Sequence, residues 1–388
     1  MKQRLIRLIR INFTRFVMRF FWLFPMKQNQ IFFSAYEGKQ YSCNPKVIFE
    51  AICRDPEFKD FRFVWEINDK SKHAFIHNKN TKFCRHNSFS YFYMILTSKY
   101  IITNTGITAR IPLRKSQISI NTWHGGGAYK RVGHAIHSDI SGDLKELDIA
   151  SAQTTYFLSS SRIFTNVMED SIQMPKDRFI PTGMPRNDIF FDALRCTILR
   201  EKIINEYKLD NDCFLILYAP TYRGAVGENT LEFDLEPLYH LREAAEKRFG
   251  RRAVLMIRTH YYSDEKTEYE NVLSVSDYPD MQELLVAADL LVTDYSSSIW
   301  DFGLSGKACI LYTPDIEEYD LERGFYTSPS TWPGILCETE SRVIEAIACF
   351  DSAAYKKRLE KYFLEAGSYD KGDATEKVLK IIKERQWQ

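Results

Sequence analysis

From Gln30 onward, short apolar runs alternate with longer stretches of helical period, the pattern of an α/β architecture built on parallel sheets. The runs at 30–34, 61–66, 100–103, 117–122, 155–159 and 178–181 predict one series of strands, and those at 213–218, 253–257, 272–275, 289–293 and 308–312 predict a second. A polar stretch at 192–211 parts the two series, and the tail, 352–388, reads as one or two charged amphipathic helices. The prediction is two doubly wound domains, 28–200 and 201–388, facing each other across a cleft. In such sheets ligands bind outside the carboxyl ends of the strands, so motifs at strand ends carry the functional information.

Ahead of this body lies a different pattern. Residues 1–27 are rich in Ile, Leu, Phe and Trp but are interrupted by arginine every three to five positions, and no small-residue cleavage site follows. A membrane span needs about 20 mostly apolar residues, and a signal peptide needs a cleavage site, so neither fits. At about 100° per residue, Arg4, Arg7, Arg10, Arg15 and Arg19 share one half of a helical wheel, and Leu5, Ile9, Phe13, Phe16 and Phe20 the other. Phe21, Trp22 and Phe24 extend the apolar face up to Pro25. This pattern predicts a helix lying in the membrane interface, with its arginines among anionic headgroups. The alternative is a helix packed on its own protein or on a partner subunit.

Charge sharpens that division. Over 388 residues the formal net charge is only +1, yet residues 1–27 carry seven basic side chains and no acid, which leaves the rest of the chain at −6. A mildly acidic body makes a nucleic-acid partner improbable. A hydrophobic fraction of 45% with 27% charged residues excludes a disordered or collagen-like chain. The eight cysteines form no CxxC pair, which points to reduced thiols in a cytosolic setting.

Four strand-end motifs could carry chemistry. His124 ends the 117–122 run and is followed by Gly125-Gly126-Gly127-Ala128-Tyr129-Lys130. An imidazole titrates near neutral pH and suits proton transfer, and glycines let backbone N–H groups approach a ligand; a tight turn, or a hydrolase-type oxyanion loop, would look similar. Arg258-Thr259-His260 ends the 253–257 run, and its alternate residues can address one anion together. A structural salt bridge is the alternative. Thr293-Asp294-Tyr295-Ser296-Ser297 turns a strand into a helix, either as a phosphate seat or as ordinary capping. Thr221 and Arg223 follow the 213–218 run, so this edge would converge on a diphosphate. Asp210-Asn211-Asp212 mimics a metal-binding DxD but precedes a strand, so a solvated turn is the better reading. His73, His77 and His86 have no partners at ligand spacing, and no metal or cofactor is implied.

These segments occur in order together with FSAYEGKQYSCNPK (33–46), GMPRND (183–188) and YTPD through RGFY (312–326). The chain thereby resembles the CDP-glycerol:glycerophosphate glycerophosphotransferase family, the teichoic-acid primases and polymerases with their CDP-ribitol relatives. The resemblance implies a glycosyltransferase-B-like pair of Rossmann domains, an acceptor domain followed by a CDP-donor domain. It further implies a CDP-glycerol or CDP-ribitol donor and a lipid-linked glycan or glycerophosphate acceptor at the cytoplasmic membrane face, where anionic lipids would meet the basic head. Carried over by position, His124 is the catalytic base and His260 engages the donor phosphates. Asp294, Ser296 and Ser297 fall on the donor-binding DYSS segment and Arg323 on a late arginine. Gly125, Gly126 and Lys130 fall in the loop expected to meet the acceptor. Many members read HGTPLKKLG there; this chain reads HGGGAYKRVG, which changes the acceptor loop. The expected reaction moves glycerol 3-phosphate to an acceptor hydroxyl and releases CMP, in teichoic acid or capsular polymer synthesis. A ribitol-phosphate transferase and a sugar-nucleotide enzyme on the same scaffold are the alternatives.

Overall fold

A computed structural model describes residues 2–71, 76, 78–136, 144–221, 236–258 and 272–386. The first sheet has seven strands, β1 (Lys27–Ser34), β2 (Arg62–Glu66), β3 (Thr81–Cys84), β4 (Ser98–Thr103), β5 (Ile118–Asn121), β6 (Tyr156–Leu158) and β7 (Phe179–Ile180), in the order 3-2-1-4-5-6-7. The second has six, β8 (Phe214–Tyr218), β9 (Ala253–Ile257), β10 (Val272–Ser274), β11 (Leu290–Thr293), β12 (Ala308–Tyr312) and β13 (Ile335–Cys337), in the order 10-9-8-11-12-13. Neighbours pair in parallel throughout, as doubly wound sheets require.

Thirteen helices accompany the strands among the described residues. In chain order they are α1 (Lys2–Met18), α2 (Cys43–Arg54), α3 (Phe89–Thr97), α4 (Leu144–Ala152), α5 (Arg162–Ser171), α6 (Ala193–Glu206), α7 (Glu236–Phe249), α8 (Met281–Ala287), α9 (Ser298–Gly303), α10 (Ile316–Glu322), α11 (Glu340–Ala348), α12 (Ser352–Ala366) and α13 (Ala374–Gln386).

The strands read as continuous apolar runs because both faces of the sheet are covered. On the first sheet Ile31, Phe33, Phe63, Trp65 and Ile102 point into one core. The intervening Phe32, Val64 and Ile101 enter another with Tyr91 and Ile95 of α3. The second sheet buries Phe214, Ile216, Leu255, Leu290, Val292 and Ile310 against Leu238, Leu241 and Ala245 of α7. β3 and β13 escape the sequence pattern. Both are short edge strands, and β3 mixes polar with apolar positions because it is only half buried.

Two compact units result: one holds residues 1–124, 132–188 and 369–388, the other 125–131 and 189–368. The boundary therefore falls near 188 rather than 200, and the C-terminal helix α13 joins the first unit instead of completing the second. Its reasons are local. Asp188 accepts the N–H groups of Ala374 and Thr375 at 3.0 and 2.8 Å, capping the helix start. Val378 and Ile382 then enter the first unit's core, and Lys383 pairs with Asp55 at 2.7 Å.

The N-terminal helix also belongs to the first unit, with a reversed polarity. Arg15 Nη1 donates to the carbonyls of Ala109 and Ile111 at 2.6 and 3.3 Å, and Arg7 pairs with Glu146. Ile11 is buried, while Ile9, Phe13, Phe16 and Phe20 are each more than half exposed. So two of the arginines expected among headgroups turn onto the protein, and the apolar side faces outward.

Candidate active site

On the first unit, the chain leaves β5 through a loop held by asparagines. Asn121 Oδ1 accepts the Trp123 N–H at 2.9 Å, and the buried Asn44, just inside α2, donates to the carbonyls of Thr122 and Trp123 at 3.1 Å each. Trp123 sits at φ 52°, left-handed and costly for a bulky residue unless its surroundings over-determine it. The result presents His124. Its Nδ1 lies 2.8 Å from the backbone oxygen of Asn104, immediately after β4. A carbonyl oxygen only accepts, so Nδ1 is the donor in this contact. Trp123 stacks on the imidazole at 4.8 Å, and the Tyr36 ring meets it edge-on at 5.7 Å. Asn104 Oδ1 in turn accepts the Tyr36 N–H at 2.8 Å, so the loop after β1 and the imidazole share one support.

On the second unit, the carboxylate of Asp294 is buried at the end of β11. It accepts the Thr221 N–H at 2.9 Å and the Thr221 hydroxyl at 2.6 Å, which knots the ends of β8 and β11 together. Thr293 donates its hydroxyl to the Ala219 carbonyl at 2.6 Å. Ser296 Oγ accepts the Ser298 N–H at 3.2 Å where α9 begins, with Ser297 at the helix cap. Arg258 Nη1 donates to the carbonyls of Val275 and Tyr278 at 3.2 and 2.8 Å, fastening the end of β9 to the loop after β10.

The glycine-rich segment packs with this second unit. A side chain at Gly126 would collide with the indole of Trp300, Lys130 forms an antiparallel bridge with Phe325, and Arg131 N donates to the Gly324 carbonyl at 3.0 Å. Tyr295 stacks on Tyr319 at 4.0 Å and Tyr319 on Phe325 at 5.8 Å, so the segment 294–297, the exposed Arg323 and the loop 125–131 are carried by one aromatic column.

Thus Thr221, Thr293, Asp294, Ser296 and Ser297 come together on the second unit and His124 stands on the first, while Arg223 and His260 lie outside the described residues. Among the described residues no three His, Cys, Asp or Glu side chains gather as a metal site. Sequence reasoning missed Asn44, Asn104 and Tyr36. Tyr36 and Asn44 lie within the 33–46 segment that carries the resemblance, and Asn104 had only its place after a strand as a signal.

The sequence profile described as "CDP-Glycerol:Poly(glycerophosphate) glycerophosphotransferase" matches residues 16–384. The chain belongs to this glycerophosphotransferase family. Among similar proteins, a teichoic acid poly(glycerol phosphate) polymerase of Bacillus spizizenii is 30% identical over 97% of both chains. A teichoic acid glycerol-phosphate transferase of Staphylococcus aureus is 28% identical over 92% of this chain and 93% of its own. The glycerophosphotransferase fold also matches the solved wall teichoic acid polymerase TagF, in a variant soaked with CDPG, at a TM-score of 0.84 and 22% identity over 100% of this chain and 98% of that one. A UDP-GlcNAc 2-epimerase from Neisseria meningitidis is more distant, at a TM-score of 0.54 and 10% identity over 92% of this chain and 100% of its own.

Proposed function

We propose that this glycerophosphotransferase transfers glycerol 3-phosphate from CDP-glycerol to a hydroxyl of a membrane-anchored acceptor, in teichoic acid or related surface-polymer synthesis. The acceptor oxygen attacks the phosphorus that bears glycerol. Its O–H proton passes to His124 Nε2, the new P–O bond forms, and the bond to the bridging oxygen breaks with its electron pair leaving on CMP. Phosphoryl transfer asks mainly for positioning and charge stabilisation. The observation that supports the assignment of the base is the His124 Nδ1 contact with the Asn104 carbonyl, which orients the ring; Nε2 is the nitrogen assigned to take the proton. Thr221, Thr293, Asp294, Ser296, Ser297, Arg223, Arg258, His260 and Arg323 are assigned to the donor. Gly125, Gly126 and Lys130 are assigned to the acceptor-side loop.

Incubation with CDP-glycerol and a glycerophosphate-primed lipid tests the reading: CMP release with product growth in glycerophosphate steps is expected. Turnover of a UDP-sugar without CMP release would sink it. A second reading, transfer of ribitol phosphate, is favoured by a ribitol-phosphate primase of Bacillus spizizenii that is 25% identical over 93% of this chain. The same incubation with CDP-ribitol separates the two by product mass.

The acceptor's location accounts for the first helix. No described helix is long and apolar enough to cross a membrane. With Arg7 and Arg15 engaged on the protein, α1 and the 3-10 turn after it offer Ile9, Phe13, Phe16 and Phe20 to the acyl region of an anionic bilayer. Removing residues 1–25 should impair activity on lipid-embedded acceptor more than on a soluble analogue; equal losses would refute the anchoring role.

A further inference from the structure

One enclosed pocket in the first unit has no part in the chemistry above. It lies at the carboxyl ends of β1, β2 and β4, where the strand order reverses, which is where doubly wound sheets bind ligands. Ser34, Glu66 and Thr103 end those three strands and form its floor together with Tyr91 of α3. The exposed Glu37, Thr105 and Thr108 ring its mouth. Its interior admits the centre of one water-sized group, about 10 Å³, close to the least space that holds a single hydroxyl or water.

The chemistry of the floor is specific. Glu66 is 2% exposed, and its carboxylate meets Nδ1 of His86. A carboxylate has acceptor sites beyond the one that His86 engages. Thr103 is 3% exposed, and its hydroxyl has no hydrogen-bond partner among the described residues, a costly arrangement for a buried donor. Together they offer an acceptor and an unused hydroxyl to one small group. A hydroxyl, at once donor and acceptor, answers both. A phosphate does not, because Glu37 and Glu66 repel it.

The pocket also neighbours the base. Glu37 follows Tyr36, whose ring touches His124, and Thr103 and Thr105 flank Asn104, whose carbonyl orients His124. We propose that this pocket receives one hydroxyl of the neutral polyol end of the acceptor, held by Glu66 and Thr103 while an adjacent hydroxyl is presented to His124. The proposal rests on the polyol-phosphate acceptor of the preceding section and names the residues that select it.

Thr103→Val separates this role from a structural one. Replacing an unpartnered buried hydroxyl by a methyl group of the same shape should leave the melting temperature unchanged or raise it. Yet the acceptor KM should rise roughly tenfold, the loss expected for one hydrogen bond to a buried group, with donor KM and kcat within about twofold. Thr103→Ser should restore the acceptor KM, and Glu66→Gln should raise it as well. An unchanged acceptor KM in Thr103→Val, or an equal rise in donor KM, overturns the proposal. Binding can be read without turnover: in protein labelled with ¹⁵N-histidine, the His86 ring resonances should shift on titration with glycerol and stay still with inorganic phosphate. Shifts with phosphate alone, or none with either, overturn it too. Because that titration needs no CDP-polyol, an enzyme that released no CMP would disprove the assigned reaction while leaving the pocket separately testable.

Discussion

The carboxyl edges of the two sheets are built from the same kind of strand end, yet they are equipped in opposite ways. On the first sheet the turn after β5 is held by Asn44 and Asn121, and its product is one imidazole that a carbonyl orients. On the second the buried carboxylate of Asp294 is spent inside the protein, tying Thr221 to the end of β11, and Arg258 is fastened to a neighbouring loop. One edge presents an oriented imidazole; the other holds its loops in place. In a parallel sheet each strand end is free to be furnished separately.

Breaking the second edge should lower stability and donor affinity together. Asp294→Ala strands the Thr221 N–H and hydroxyl, so stability of the second unit should fall by about 1–3 kcal/mol and CDP-glycerol affinity by more than tenfold. Chemical denaturation and calorimetry would show both, and unchanged donor affinity would detach the Asp294 knot from binding. On the first edge, Asn44→Ala frees the carbonyls of Thr122 and Trp123 and the Arg186 N–H that Asn44 accepts at 3.0 Å. With the imidazole less well placed, kcat should drop roughly ten- to hundredfold while donor affinity stays within twofold; a matching loss of donor affinity would erase the contrast.

The smallest effect is a pH dependence confined to the first edge. The hydrogen bond from His86 to Glu66 raises the His86 pKa, against an opposing effect of burial. A group whose pKa is raised on folding contributes its stability below the unfolded value, about 6.5 for histidine, and loses it as pH rises through the folded value. The stability gap between wild type and His86→Gln should therefore be widest below about pH 6.5 and close at higher pH. Urea titrations at several pH values would detect it, and a gap that widened with pH would contradict the pairing.

The strands that form the middle of each sheet were legible because sheets buried on both faces need unbroken apolar runs, as in 30–34 and 213–218. β3 and β13, two of the four short edge strands, were not, and β3 mixes exposed with buried positions. α13 shows a different limit. Its amphipathic pattern announces a packed helix, but only the Asp188 cap and the core around Val378 and Ile382 decide that it packs on the first unit. The two terminal helices make the point together, since one hides its apolar side in that unit and the other turns it outward. Periodicity alone cannot distinguish them. His124 was legible from its place after a strand, and the ordered motifs identified the family. The contacts through Tyr36, Asn44 and Asn104 span 20 to 79 residues of sequence and leave no local pattern.

The central claim is that His124 takes the acceptor's proton while the second unit holds the donor. It is tested most directly by His124→Ala, measuring CMP release and CDP-glycerol binding on the same preparation. Turnover should fall by about 10²- to 10⁴-fold, the usual worth of a positioned general base, with donor affinity nearly unchanged. CMP release persisting near the wild-type rate would show that another group takes the proton.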